Sequence, residues 1–279
     1  MKFTKMQGAG NDFIVINNII EGIPEERLSG LAKRLCTRRL SIGADGMMVV
    51  EKAQNGGDYR MIFFNSDGSL GEMCGNGARC IARYGYENGL AGDVQRVETT
   101  AGLVTGKRVD SRMYTVRLND ITHFDQNLQL DVDGKNVRCD YLELGNPGIP
   151  HAVVRLEDPD ELKPDMLREL GRKLRWHEAF AKGANVNFCC VNGENEVTEL
   201  TFERGVEDFT LACGTGTGCV VASLATKGLV SGKDTKVNVM GGTLFITLGF
   251  DAGSQKITDI ELTGPTNIVA EGKVRDEDL

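Results

Sequence analysis

One short pattern occurs twice in this chain. Cys74-Gly75-Asn76-Gly77-Ala78-Arg79-Cys80 and Cys213-Gly214-Thr215-Gly216-Thr217-Gly218-Cys219 stand almost half the chain apart, and in each a second cysteine follows six residues after the first. The flanks repeat as well. Strand-like segments rich in β-branched or aromatic residues precede the motifs, at 59–65 and 197–203. Helix-like stretches follow, at 78–88 and 219–227, and end at Gly89 and Gly228, as helix C-termini do. Each half then returns to strands, 96–99 and 114–118 in the first, 236–240 and 243–248 in the second. Helical spacing predicts one more helix per half, over 24–36 and 164–176. Two copies of one module, each a curved sheet packed on a central helix, account for the pattern. The boundaries place an N-terminal domain at 1–118 and 265–279 and a C-terminal domain at 119–264, with the strand-like segment 267–274 returning to the first.

At 279 residues, 41% hydrophobic and 26% charged, the chain suits two soluble domains of ordinary size. Its net charge of -8 argues against a nucleic-acid partner. The basic pairs Lys33-Arg34 and Arg38-Arg39 have acidic neighbours and read as solvated helix faces. No basic segment leads into an apolar run at the N-terminus, which argues against a signal peptide, and no apolar run approaches the roughly 20 residues of a membrane span. Eight cysteines without an export signal are expected to be reduced thiols in the cytoplasm, serving as packing residues, metal ligands or catalysts.

Each motif sets a cysteine and a glycine-rich turn at the start of a helix. The first turn of a helix leaves N–H groups unpaired and carries partial positive charge, so it suits a carboxylate. The same field is expected to lower a thiol from its ordinary value of about 8.5. Two such turns could hold an amino acid's carboxylate and set a thiol on either side of its α-carbon. Inverting a stereocentre through a carbanion needs proton removal from one face and delivery to the other, and a thiolate and a thiol serve both directions. The helix N–H groups would stabilise the enolate-like charge, with no metal or electron-sink cofactor required. Against this, a cysteine near a helix start is most often a packed residue. The Cys-x5-Cys spacing fits zinc poorly, and Cys80 and Cys219 are expected to pack in the core. Cys36, Cys139, Cys189 and Cys190 are expected to be dispensable for chemistry.

The chain resembles the diaminopimelate epimerase family over most of its length. The resemblance lies in Phe3–Phe13, Asn65–Ser69, Cys74–Cys80, Gly183–Asn187, Glu203–Gly205, Ala212–Gly216, Gly241-Gly242 and Thr263–Pro265, in that order. It implies an α+β fold of two pseudo-symmetric domains, each a curved, mostly antiparallel sheet around a central helix. It implies an isomerase without pyridoxal phosphate that interconverts LL- and meso-diaminopimelate for lysine and cell-wall synthesis, and it suggests a homodimer. Cys74 and Cys213 match the family's catalytic thiols. Gly75-Asn76 and Gly214-Thr215 match the segments binding the reacting carboxylate. Asn11, Asn65, Asn185, Glu203 and Arg204 match other substrate contacts, Arg204 suiting a distal carboxylate. His151 matches a histidine kept near the site to orient charge, with Glu203 in support.

Without the resemblance, Asn11, Asn65 and Asn185 read as turn residues and Glu203-Arg204 as a surface ion pair. One position departs from the family: Ile149 stands where many members have a substrate-binding asparagine, and Asn146 just upstream is the candidate replacement. The rival readings are a racemase of proline, hydroxyproline or histidine on the same fold, and a metal-binding or redox protein using the cysteines.

Overall fold

The structure is a computed structural model and describes residues 1–71, 75–254 and 256–275. Cys74 therefore lies outside the described residues. Contacts divide the chain into two compact units, Met1–Val116 with Thr263–Leu279, and Arg117–Leu262.

In chain order the first unit holds β1 (Lys2–Gly8), β2 (Asn11–Asn17), α1 (Asn18–Glu21), α2 (Glu25–Cys36), β3 (Gly46–Lys52), β4 (Tyr59–Asn65), α3 (Gly75–Glu87), β5 (Val94–Thr99), β6 (Gly102–Arg108) and β7 (Met113–Arg117). The second holds β8 (Ile121–Val132), β9 (Lys135–Leu144), β10 (Ile149–Arg155), α4 (Pro164–Arg175), β11 (Asn185–Gly193), β12 (Glu196–Glu203), β13 (Asp208–Thr210), α5 (Gly214–Thr226), β14 (Thr235–Val239) and β15 (Gly242–Phe250). β16 (Ile257–Pro265) leads back to β17 (Asn267–Lys273), which pairs with β1.

The ladders repeat as the motifs do. The first unit runs β17-β1-β2-β3-β4-β5-β6, with β2–β3 and β4–β5 parallel and the other pairs antiparallel. The second runs β8-β9-β10-β11-β12-β14-β15, with β10–β11 and β12–β14 parallel and the rest antiparallel. The result is the expected α+β fold of two like modules, each mostly antiparallel.

Strand alternation sorts side chains to the two faces of each sheet. In the first unit Ile14, Ile16, Met47, Val49, Ile62 and Phe64 meet Leu28, Leu31 and Leu35 of α2. Glu25 and Glu26 in the first turn of α2 and Lys33 and Arg34 in its last complement the helix dipole. Phe13, Val15, Met48, Val50, Met61 and Phe63 meet Cys80, Ile81 and Tyr84 of α3. In the second unit Ala152, Val154, Val186, Phe188, Leu200 and Phe202 pack with Leu167 and Leu174 of α4. The opposite face meets α5, whose residues are buried almost throughout.

Both motif helices end alike. Gly89 and Gly228 take positive φ, 66° and 68°. Leu90 N–H reaches back to Gly85 O at 2.8 Å and Leu229 N–H to Leu224 O at 3.0 Å, satisfying carbonyls of the last turn. Among the described residues no helix is long and apolar enough to cross a membrane.

Candidate active site

In the first unit, β2, β3 and β4 bring Asn11, Asp45 and Asn65 to one end of the sheet. Phe13 pairs with Gly46, and Gly46 with Asn65. The start of α3 meets this end. Asn76 Nδ2 donates to Asn11 Oδ1 at 2.7 Å, and Asn11 Nδ2 donates to Asp45 Oδ2 at 3.1 Å. The Asn11 side chain thus joins α3 to the β3 entrance instead of closing the Gly8–Gly10 turn. Asn76 Oδ1 accepts from Arg79 Nη2 at 2.8 Å, and Arg79 is fully buried one helical turn along. Gly8 packs closely against this corner, where a Cβ would stand 3.1 Å from Asn76 O and from Cys80 Sγ. Asp45 and Asp12 share Arg38, at 2.9 and 2.5 Å, and Lys5 reaches Asp12 at 2.7 Å. Burial opposes ionisation of Asp12, yet Arg38 and Lys5 together hold its carboxyl below the usual range. Asn65 is exposed and holds its own turn, Nδ2 donating to Ser69 Oγ at 3.0 Å.

In the second unit, Cys213 is the N-cap of α5, with an extended backbone at φ -123° and ψ 103°. Buried Gly214 opens the helix. Thr215 Oγ1 lies 3.6 Å from Cys213 Sγ and 3.0 Å from His151 Nε2. His151 is fully buried, and its Nδ1 lies 3.2 Å from Asn187 Nδ2. Burial, aided by the positive charge of Arg204, pushes the imidazole down to about 3, so it is neutral. Gly216 must lack a side chain, because a Cβ would stand 2.2 Å from Asn187 Oδ1.

Asn185 sits at the same sheet end as Cys213's neighbours, since His151 pairs with Asn185 in the parallel β10–β11 ladder. Its amide bonds the backbone at both ends: Nδ2 donates to Pro150 O at 3.2 Å, and Oδ1 accepts from Arg204 N–H at 2.8 Å. Asn185 therefore holds the corner that presents Glu203 and Arg204. Arg204 is half-buried and reaches Lys182 O at 3.3 Å. Ile149 begins β10 opposite Leu144, and Asn146 is exposed in the turn before it.

The chain matches the family model described as diaminopimelate epimerase over residues 3–118 and 144–269. The diaminopimelate epimerase of Aquifex aeolicus is 38% identical, covering 100% of this chain and 99% of that protein. That of Archaeoglobus fulgidus is 36% identical over 99% of this chain and 97% of the other. The chain belongs to the diaminopimelate epimerase family. Its class is therefore that of an isomerase.

The fold is wider than the family. A hydroxyproline epimerase from Agrobacterium vitis matches with TM-score 0.67 at 18% identity, covering 100% of this chain and 93% of the other. A phenazine biosynthesis protein of the PhzF family from Enterococcus faecalis matches with TM-score 0.68 at 12% identity, covering 98% of each. At these identities the likeness is one of fold.

Within this diaminopimelate epimerase family member one expectation is reversed. Burial, the largest effect, pushes the Cys213 thiol up, and Glu203 beside it acts in the same direction. The Thr215 hydroxyl and the Gly216 N–H of the first turn act against it and do not prevail. Loss of hydration outweighs the field of one helix start. Cys80 and Cys219 are fully buried, Cys80 on the core-facing side of α3. Sequence reading did not single out Asp45, Arg79, Asn187 or Thr201; for Asn187 and Thr201 a signal was present, polar residues at alternate positions of 185–187 and 199–203.

Proposed function

We propose that this chain interconverts LL- and meso-diaminopimelate without pyridoxal phosphate, through one thiol from each unit, Cys74 and Cys213. What carries the reading is the placement of Cys213 at the N-cap of α5 together with family membership over the full chain. Gly75 and Asn76 at the start of α3, and Gly214 and Thr215 at the start of α5, supply donors for the reacting carboxylate. Burial raises the Cys213 thiol, and because the reaction runs both ways Cys74 and Cys213 exchange the roles of base and acid with its direction. The same donors offset charge that develops as the α-carbon loses its proton. Glu203 and neutral His151 support Cys213, the second through Thr215. Arg204, held by Asn185, takes the distal carboxylate, which favours diaminopimelate over proline or hydroxyproline. Asn11 and Asn65 complete the contacts, and the enzyme works in the cytoplasm as a homodimer.

The test is incubation with LL-diaminopimelate in deuterated water under reducing conditions. Deuterium entering the α-position with loss of optical purity supports the reading. No exchange with LL-diaminopimelate, and exchange with proline or hydroxyproline instead, would replace it with the racemase.

A further inference from the structure

The positions that face the motif helix differ between the two units in a way that the fold does not demand. Phe13 and His151 are equivalent, because each opens a parallel ladder, with Gly46 and with Asn185. The cross-strand pair Met48–Phe63 corresponds to Asn187–Thr201, and Val50–Met61 to Cys189–Glu199. Four apolar residues behind α3 are thus replaced behind α5 by His151, Asn187, Thr201 and Glu199, all buried. Since the first unit packs this layer with hydrocarbon, the polar set in the second is not a requirement of the architecture.

These four side chains form a line of hydrogen bonds that ends on sulfur. Thr201 Oγ1 lies 3.0 Å from both Glu199 Oε1 and Asn187 Oδ1. Asn187 Nδ2 lies 3.2 Å from His151 Nδ1 and donates to Ala152 O at 3.3 Å. From His151 Nε2 the line passes through Thr215 to Cys213 Sγ. Thr201 Oγ1 has one hydrogen for two acceptors, the Glu199 carboxyl and Asn187 Oδ1, so the direction of the line follows the charge of Glu199. A charged Glu199 draws that hydrogen to itself; a protonated Glu199 donates to Thr201, which then donates to Asn187 Oδ1. At the other end His151 Nδ1 accepts, so Nε2–H donates to Thr215, whose own hydrogen is left for Cys213.

We infer that Glu199 is a positioning residue whose proton sets the direction of this line, so that Cys213 ionises more readily when Glu199 is protonated than when it is charged. Loss of that proton turns the Thr201 hydroxyl toward the carboxylate, strips Asn187 Oδ1 of a donor and adds a negative charge behind the thiol. Burial pushes the Glu199 carboxyl up to about 7, the Thr201 and Thr217 hydroxyls acting the other way. Among the described residues the titratable groups facing Glu199 are thiols: Cys189 across the β11–β12 ladder, and Cys213 and Cys219 from α5. Lys236 on β14 is engaged by Glu196 at 3.0 Å. The titration of Glu199 is therefore expected within the pH range of the test below, and the Cys213 thiol is expected to respond to it. The inference deepens the proposed two-thiol reading and rests on it for the role of Cys213.

The test reads the thiol and not turnover. The reduced full chain is treated with iodoacetamide between pH 5.5 and 9, and Cys213 labelling is followed by peptide mass spectrometry. The logarithm of the rate should rise with pH, flatten across the ionisation of Glu199, then rise again. Glu199→Gln keeps a neutral side chain that donates to Thr201, so its plot should rise without a break and lie about tenfold above wild type at pH 9, as one unit of coupling requires. Thr201→Val cuts the line with Glu199 in place, and the break should shrink or vanish. Superposed wild-type and Glu199→Gln profiles would overturn the inference. So would an undiminished break in Thr201→Val, which would mean that Glu199 acts through space alone. Failure to epimerise would overturn the reading of function and leave this labelling result standing.

Discussion

His151 Nε2 lies 3.0 Å from the Thr215 hydroxyl, which itself stands 3.6 Å from Cys213 Sγ. A fully buried, neutral imidazole thus reaches the thiol through one hydroxyl. Thr215→Val should remove both bonds while keeping shape. Steady-state kinetics should show kcat reduced about tenfold to hundredfold, the cost of one or two polar interactions in a buried site. Thr215→Ser should recover most of the loss. A Thr215→Val enzyme with wild-type kcat would show the contact to be incidental.

Asn76 joins Asn11 to buried Arg79 at the start of α3. Asn76→Ala removes an acceptor from a buried guanidinium, and chemical denaturation should show a loss of about 2–3 kcal/mol. A loss below about 0.5 kcal/mol, the usual range for surface changes, would contradict the role assigned to Asn76.

The double motif made the fold legible in outline. β4 spans the expected 59–65, and α2 and α4 run within a residue or two of their predicted limits. What the chain hid was the face behind α5. Asn185, Asn187, Glu199, Thr201 and Glu203 alternate with Val186, Phe188, Leu200 and Phe202, a pattern that usually marks a sheet with one wet face. Here the polar face is covered by a helix, and only the three-dimensional packing reveals it. The direction of the Cys213 shift was hidden for the same reason: a helix start is readable from glycines, whereas the loss of hydration that outweighs it is not. Asn185 was recognised by its motif, but its amide is engaged by Pro150 and Arg204, which makes it a support for the Glu203-Arg204 corner.

Arg204 is assigned to the distal carboxylate, away from the reacting carbon. Arg204→Gln should raise KM about tenfold or more with a smaller change in kcat, because the lost contact is the same in ground and transition states. A fall in kcat with KM unchanged would place Arg204 in the chemical step instead.

Glu199 also predicts a pH dependence of stability. Its folded value is raised from 4.5 to about 7 by burial. Its contribution is therefore fully present below the ordinary carboxylate value and lost as pH rises through about 7. The loss amounts to about 3 kcal/mol across that window. Glu199→Gln has no such titration, so its melting temperature relative to wild type should climb between pH 5 and pH 8. A difference that stays constant over that range would contradict a buried, titrating Glu199.

The central claim is that two thiols, and not the cysteines that accompany them in each motif, invert the α-carbon. The most direct measurement is the rate of LL- to meso-diaminopimelate conversion by Cys74→Ala, Cys213→Ala and Cys219→Ala, each first shown to be folded by thermal melting. Conversion should be abolished in the first two and retained in Cys219→Ala, whose cost should appear only as stability. Conversion persisting in either Cys74→Ala or Cys213→Ala would contradict the two-thiol account.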